Sequence, residues 1–191
     1  MKDDYLQPDF YHFNEDSIQL VRFIKENIDN STEHSALEVG AGCGVISCEL
    51  FKNVGLKSLL LVELQAEFLP YLKDNLDSVG IKNYSIHQSS FSGDDFLKVV
   101  RSKNSLVCFN PPYFFNHEGR SSNNSQLETC RRIERSDFLK WFKNSFESLE
   151  AGGSLFFCHR SDTWQAKDFG FTDILKEKGP GATFYFWKKE N

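Results

Sequence analysis

Apolar residues Ile18, Val21, Ile24 and Ile28 recur at helical spacing behind Asn14 and Asp16, two good capping residues, so a helix is expected to open near residue 16. Beyond it the period shortens. Ala36-Leu37-Glu38-Val39 reads as a strand that runs into a glycine-rich turn, with a helix following through about Lys52. Residues 58–63 form a second strand, and residues 65–79 a helix stopped by Gly80. Residues 84–88 give a third strand and 94–100 a short helix. The β-rich run Ser105-Leu106-Val107-Cys108-Phe109 is a fourth strand, halted by Asn110-Pro111-Pro112. A polar loop rich in Ser, Asn and Gly follows over residues 116–127. An amphipathic helix then spans about 136–149, closed by Gly152-Gly153, and the last strands fall at 154–158 and 182–187. Strand and helix alternate. The α/β fold class that this predicts is a doubly wound, mostly parallel sheet with helices on both faces. Ligands of such sheets sit at the carboxyl ends of the strands.

Composition changes this picture little. The chain has 191 residues, 40% hydrophobic and 26% charged, enough for one full core, with 1–34 as a helical entry segment and 35–191 carrying the sheet. Its first residues lack the basic-then-apolar pattern of a signal peptide, and no apolar run approaches a membrane span, so a cytoplasmic setting is expected. The five cysteines (43, 48, 108, 130 and 158) form no C-x-x-C pair and read as reduced core thiols rather than a disulfide or metal site. A net charge of −5 argues against a general nucleic-acid binder held by charge alone, while leaving room for a local basic patch.

Candidate chemistry gathers at the predicted edge. Neither proline of Asn110-Pro111-Pro112-Tyr113 can donate to a sheet ladder, and each forces the residue before it into an extended form. The strand must end there, with its last side chain and carbonyls facing outward beside an aromatic ring. An amide, two rigid carbonyls and a ring suit the grip of a flat –NH2 group; the plainer reading is a rigid turn. Upstream, Glu38-Val39-Gly40-Ala41-Gly42-Cys43-Gly44 places three glycines at alternate positions, where they permit positive φ and close backbone approach. The spacing G-x-G-x-G departs from the dinucleotide G-x-G-x-x-G and from its pyrophosphate cradle, in which a helix opens behind the last Gly. With a carboxylate in front, such a turn suits a cationic or zwitterionic ligand. Glu63 ends the second strand one βαβ unit later, in register to accept hydrogen bonds from ribose hydroxyls, although it also reads as a solvated strand end.

Together, the glycine turn and Glu63 resemble the S-adenosylmethionine site of class I methyltransferases, which implies a Rossmann-like, seven-stranded sheet and S-adenosylmethionine as cofactor. Asn110-Pro111-Pro112-Tyr113 resembles the motif of amino-methyltransferases that modify adenine amines or glutamine amides. Asn110 to Phe114, the Arg-rich stretch Arg131, Arg132 and Glu134, and the entry Phe13-Asn14-Glu15-Asp16-Ser17-Ile18 are similar to bacterial tRNA adenine-N6 methyltransferases acting beside the anticodon. That resemblance implies a tRNA substrate, no metal, and a monomer or weak dimer. It assigns Asn110, Pro111, Pro112 and Tyr113 to catalysis and Glu38, Gly40, Gly42, Gly44, Glu63 and Asn110 to the cofactor. Two departures stand out. The acid usual after the third strand is replaced by His87-Gln88-Ser89-Ser90, so Ser89 or Ser90 takes its place. Residues 161–180 are brief for the usual helix and strand, so the last βαβ unit is expected to be abbreviated.

The chemistry implied is simple. The N6 amine of adenine is a poor nucleophile because its lone pair is delocalised into the ring. If the Asn110 oxygen and the Pro111 carbonyl each accept one N–H, the nitrogen becomes electron-rich, and prearranged dipoles stabilise the charge that forms. Tyr113 would stack on the extracted base. Other positions stay open at this stage. Phe114 and Phe115 line the base pocket or pack in a core that draws on 19 phenylalanines. Asp16 is a helix N-cap or holds the methionine end of the cofactor. Arg120, Arg131, Arg132, Arg135 and Arg160 bind phosphates or pair with Glu128 and Glu134 on a solvated rim. The five scattered histidines have no triad or ligand spacing. The alternatives to an RNA methyltransferase are a protein glutamine methyltransferase, a non-catalytic binding module, and a DNA enzyme; the last is disfavoured because 191 residues leave no room for a separate recognition domain.

Overall fold

The computed structural model of the chain describes residues 5–93, 100, 103–116, 122–160 and 175–190. Helix α1 (Glu15–Asn27) leads into β1 (His34–Val39), α2 (Val45–Asn53) and β2 (Leu56–Glu63). A 3-10 turn (Ala66–Phe68) opens α3 (Leu69–Ser78), followed by β3 (Tyr84–Gln88), β4 (Asn104–Phe109) and β5 (Phe114–Phe115). The chain closes through α4 (Ser125–Arg131), β6 (Arg132–Ile133), α5 (Arg135–Ser148), β7 (Leu149–His159), β8 (Leu175–Lys178) and β9 (Thr183–Lys188). Seven strands form one sheet in the order β3-β2-β1-β4-β7-β9-β8. All neighbours are parallel except β9, which runs antiparallel to both β7 and β8. The seven-stranded sheet closes with β9 and the four-residue β8, and the abbreviation expected of the last unit's helix falls on residues 161–174, outside the described residues.

Successive residues of a strand face opposite sides of a sheet, and here that alternation builds two cores. Ala36, Leu61, Leu106, Cys108, Phe156 and Cys158 point toward α1, α2 and α3. Leu37, Val39, Val107, Phe109, Leu155 and Phe157 point toward α5, where Phe138 and Phe142 meet them. Phe109 stacks on Phe157 with ring centroids 5.2 Å apart, and Phe142 meets Phe157 edge-on at 4.7 Å. Many of the phenylalanines therefore serve the core.

Several sequence expectations are revised. Gly152 and Gly153 do not close a helix; they lie inside β7, Gly152 at φ 75°, where the β4–β7 register shifts between Asn104 and Leu106. The supposed loop 116–127 contains the start of α4, capped by Asn124, whose Oδ1 accepts the Leu127 N–H at 3.0 Å. Strands β5, β6 and β8 carried no readable period because two to four residues are too few to show one. The helix expected at 94–100 falls outside the described residues except for Val100.

Candidate functional site

Strands β1, β2 and β4 end level, since Val39 pairs with Val62 on one side and with Phe109 on the other. Gly40, Glu63 and Asn110 thus leave the sheet at one carboxyl edge. The Gly40 and Ala41 N–H groups donate back to the Val62 carbonyl at 2.9 and 3.0 Å, folding the turn over the edge. Gly40, Gly42 and Gly44 all take positive φ (68°, 54° and 80°). A Cβ on Gly44 would also lie 2.6 Å from Leu72 Cδ1, so α2 and α3 approach closely there only because residue 44 has no side chain.

Glu38 lies back from this turn, opposite Leu61 in β2 and beneath the start of α2. It is 1% exposed, and its Oε2 accepts both the N–H of Ser47, at 3.1 Å, and the Ser47 hydroxyl. Helix α2 does open directly behind Gly44, contrary to the expected departure, but Glu38 already occupies the place where a phosphate would sit. Burial pushes the Glu38 carboxyl up to about 8. It does not line the cavity described below.

Glu63 does. Its Oε2 accepts the Gly42 N–H and its Oε1 the Gln65 N–H, each at 2.8 Å, which fixes the carboxylate against the turn while leaving each oxygen a free lone pair. Burial raises its pKa, and those backbone N–H groups partly offset the rise. Beside it, the Ser89 N–H donates to the Glu63 carbonyl at 3.0 Å. The Ser89 hydroxyl is buried without a hydrogen-bond partner. Ser90 is exposed, its hydroxyl sharing a proton with that of Ser92 at 2.7 Å.

These groups surround a cavity of about 440 Å³, a volume within the range of ligand sites of roughly 300–1,000 Å³. Gly40, Gly42, Glu63, Leu64 and Ser89 form one wall, Asn110, Pro112 and Asn116 another, and the aromatic lining comes from Tyr11, Phe68, Phe91 and Trp141. Helix α4 borders the cavity through Glu128, Thr129 and Cys130. Gln65 Nε2 donates to Cys130 Sγ at 3.1 Å and Gln126 Nε2 to Glu67 Oε1 at 3.0 Å, tying α4 to the edge of β2. Arg132 lines the cavity, but its Nε is 2.6 Å from Glu128 Oε2. Glu134 accepts from the Asn116 amide. Arg131 is exposed, and Phe114, 41% exposed, pairs with Arg132 in the β5–β6 ladder; neither lines the cavity.

Asn110 lies beside Gly40 and lines the cavity, and its side chain is tied at both ends. Nδ2 donates to Ser17 Oγ at 3.1 Å, and Oδ1 accepts from the Cys158 thiol at 3.2 Å. Pro111 is buried and Pro112 lines the cavity. Tyr113 stands apart from the expected stacking position. Its hydroxyl donates to Asp16 Oδ2 at 2.9 Å, and the Arg160 guanidinium covers its ring at 4.6 Å. Burial raises the Tyr113 pKa, so the phenol keeps its proton. Arg160 Nη2 also binds Asp16 Oδ2 at 3.0 Å. Asp16 is therefore not the N-cap: Asn14 is, its Oδ1 accepting the Asp16 N–H at 3.2 Å. Asp16 instead joins α1, the Asn-Pro-Pro-Tyr turn and the end of β7. Sequence reasoning missed Ser17, Trp141 and Cys158 as neighbours of this edge. Only the pairing of β4 with β7 (Phe109 opposite Phe157) sets Cys158 beside Asn110.

A family model described as the methyltransferase small domain matches residues 16–167 of the chain. No curated protein sequence matches it. Among solved structures, a 16S rRNA N2-guanosine methyltransferase of T. thermophilus, in complex with S-adenosylmethionine and guanosine, superposes with a TM-score of 0.71 at 17% identity, over 93% of this chain and 44% of that one. A ribosomal-protein methylase from Lactobacillus delbrueckii subsp. bulgaricus gives 0.65 at 18% identity, over 93% and 81%. An rRNA methylase from Streptococcus thermophilus gives 0.63 at 15% identity, over 95% and 100%. At such identities the likeness is one of fold.

Proposed function

The chain belongs to the methyltransferase small domain family, and on that premise we propose that it is an N-methyltransferase that modifies the N6 amine of adenine in RNA, with tRNA as the substrate. The methyl donor is S-adenosylmethionine, whose sulfonium supplies an electrophilic methyl group when bound. The residues at the edge fit that group. Positive-φ glycines leave the turn bare of side chains, Glu63 keeps lone pairs for ribose hydroxyls, and the partnerless Ser89 hydroxyl suits the adenine amine in place of the usual acid.

The observation that carries the acceptor chemistry is Asn110, held at the cavity beside Gly40 and directly before two prolines. Its oxygen accepts one proton of a planar amine, and the Pro111 carbonyl is fixed to accept the other. Both dipoles are in place before reaction, so they stabilise the developing positive charge at no cost of reorganisation. No general base is needed, because the proton leaves after transfer. Behind this turn, the buried Asp16 binds both the half-buried Tyr113 and the exposed Arg160, and the three hold it rigid. The aromatic walls around it, Tyr11, Phe68, Phe91 and Trp141, orient the base.

A second reading, methylation of a protein glutamine amide, draws on the charge of the cavity. Glu63, Glu128, Glu134 and Asp137 line it, against Arg132, whose Nε binds Glu128. One structural neighbour is itself a ribosomal-protein methylase. Methyl-tritiated S-adenosylmethionine, offered with unmodified tRNA, rRNA and cell protein, separates the readings. Label recovered as N6-methyladenosine in tRNA is the expected result. Label confined to protein would transfer the function to glutamine, and RNA left unlabelled at every adenosine overturns the proposal.

A further inference from the structure

A carboxamide has two ends of nearly equal size and opposite polarity, so an Asn that must accept an N–H needs something to decide which end faces the substrate. Ser17 does not decide it. Its hydroxyl accepts from Nδ2 in this structure, yet it would donate equally well to an oxygen after a half-turn of the amide. On the other side lies the Cys158 thiol, fully buried, 3.2 Å from Oδ1. A thiol is a weak donor and a weaker acceptor, so it favours the oxygen over the NH2 group. The phenol of Tyr113 has its own proton committed to Asp16, so toward the thiol it is only an acceptor, and at 3.7 Å from the sulfur it is a more distant one than Asn110 Oδ1 at 3.2 Å. Burial pushes the thiol pKa up to about 12, so that proton is present throughout the working range.

We infer that Cys158 is the positioning residue that sets the orientation of the Asn110 carboxamide, holding its oxygen as the acceptor for the incoming amine. The inference rests on the amine-acceptor role proposed above. A thiol suits the task better than a stronger donor, because it withdraws little density from the oxygen and leaves the second lone pair for the substrate. Ser17 and Cys158 reach Asn110 from α1 and β7, two elements remote in sequence, so the clamp exists only in the folded chain.

The test compares Cys158→Val, which keeps the volume and removes the donor, with Cys158→Ser, which keeps a donor. Expected for the valine variant is a kcat roughly ten- to a hundredfold lower, as for a misplaced reacting group, with KM and S-adenosylhomocysteine affinity by calorimetry within about twofold of the parent. The serine variant should recover most of the loss. A valine variant with parental kcat, or a serine variant no better than valine, overturns the inference. Should the parent transfer no methyl to RNA, the acceptor proposal itself fails, and the side-chain 15N resonances of Asn110, assigned by their loss in Asn110→Asp, then decide. A changed Asn110 amide signal in Cys158→Val supports the clamp, and an unchanged one ends it.

Discussion

Two carboxylates and one carboxamide show how burial and position along a strand decide roles that residue type leaves open. Glu38 and Glu63 look equivalent as acids at strand ends and face the same side of the sheet, yet Glu38, opposite Leu61, lies back from the edge under α2, whereas Glu63 ends its strand on the cavity wall. The buried Glu38 keeps its proton to about pH 8, while the ordinary value is 4.5. Between those values the folded chain holds a proton that the unfolded chain releases, so stability is full at the acid end and falls as pH rises toward 8. Glu63, also raised, adds to the same slope. Glu38→Gln keeps an acceptor for Ser47 without the charge, so its melting temperature should vary less over that window, as differential scanning calorimetry at several pH values would record. At the other motif, Asn110→Ala should lower kcat roughly 10²–10³-fold, as when one prearranged dipole is removed from a transition state. Its S-adenosylhomocysteine affinity should change little. Equal losses in binding and turnover would contradict that role.

Between elements, the decisive contacts are close approaches that no single segment announces. Helices α2 and α3 meet at Gly44, where positive φ and the 2.6 Å approach of Leu72 Cδ1 both exclude a side chain. Gly44→Ala should therefore cost about 2 kcal/mol or more, from strain at φ > 0 together with overpacking. Trimming Leu72 in the same chain would relieve only the overpacking, so a double-mutant cycle read by urea unfolding should return a favourable coupling and incomplete rescue. The first turn of α1 is a second such joint. Asp16, 4% exposed, receives both the Tyr113 hydroxyl and Arg160, and Gly181 packs so closely that a Cβ there would lie 2.5 Å from Asp16 Oδ1. Asp16→Ala leaves a largely buried phenol without its acceptor, at about 1–3 kcal/mol. For a chain of this size that is a fall of roughly 2–12 °C in melting temperature, with Asp16→Asn losing less.

Across the whole molecule, the sheet brings segments far apart in sequence to one edge, and the cavity there should respond to its ligand as a unit. Saturation with S-adenosylhomocysteine at about a hundred times its Kd stabilises by about 2.7 kcal/mol. A rise of roughly 5–11 °C in melting temperature is thus expected, and Glu63→Ala should remove most of it. No helix among the described residues is long and apolar enough to cross a membrane. The net charge of −5 and the acid-rich cavity lining make any RNA contact local, so tRNA binding should weaken only shallowly between low and moderate salt, in proportion to the few phosphates engaged.

Periodicity in the chain was enough to determine the long strands β1 to β4, β7 and β9, the helices α1, α2, α3 and α5, the glycine turn, and the forced strand end at Asn110. Each is a local property of backbone sterics and side-chain pattern: prolines stop a ladder, and glycines admit positive φ, in any context. Family resemblance in the same residues pointed to the seven-stranded sheet. Register and depth were decided by the tertiary structure. Because the side-chain period of a strand is two, only the pairing of β4 with β1 and β7 determines that Glu38, Asn110 and Cys158 share one face, where Ser47 meets Glu38 and Ser17 meets Asn110. The same holds for Tyr113, whose ring looked free to stack until the fold brought Asp16 and Arg160 against it. Which neighbours a polar side chain meets depends on contacts between distant segments, and a one-dimensional pattern carries no record of them.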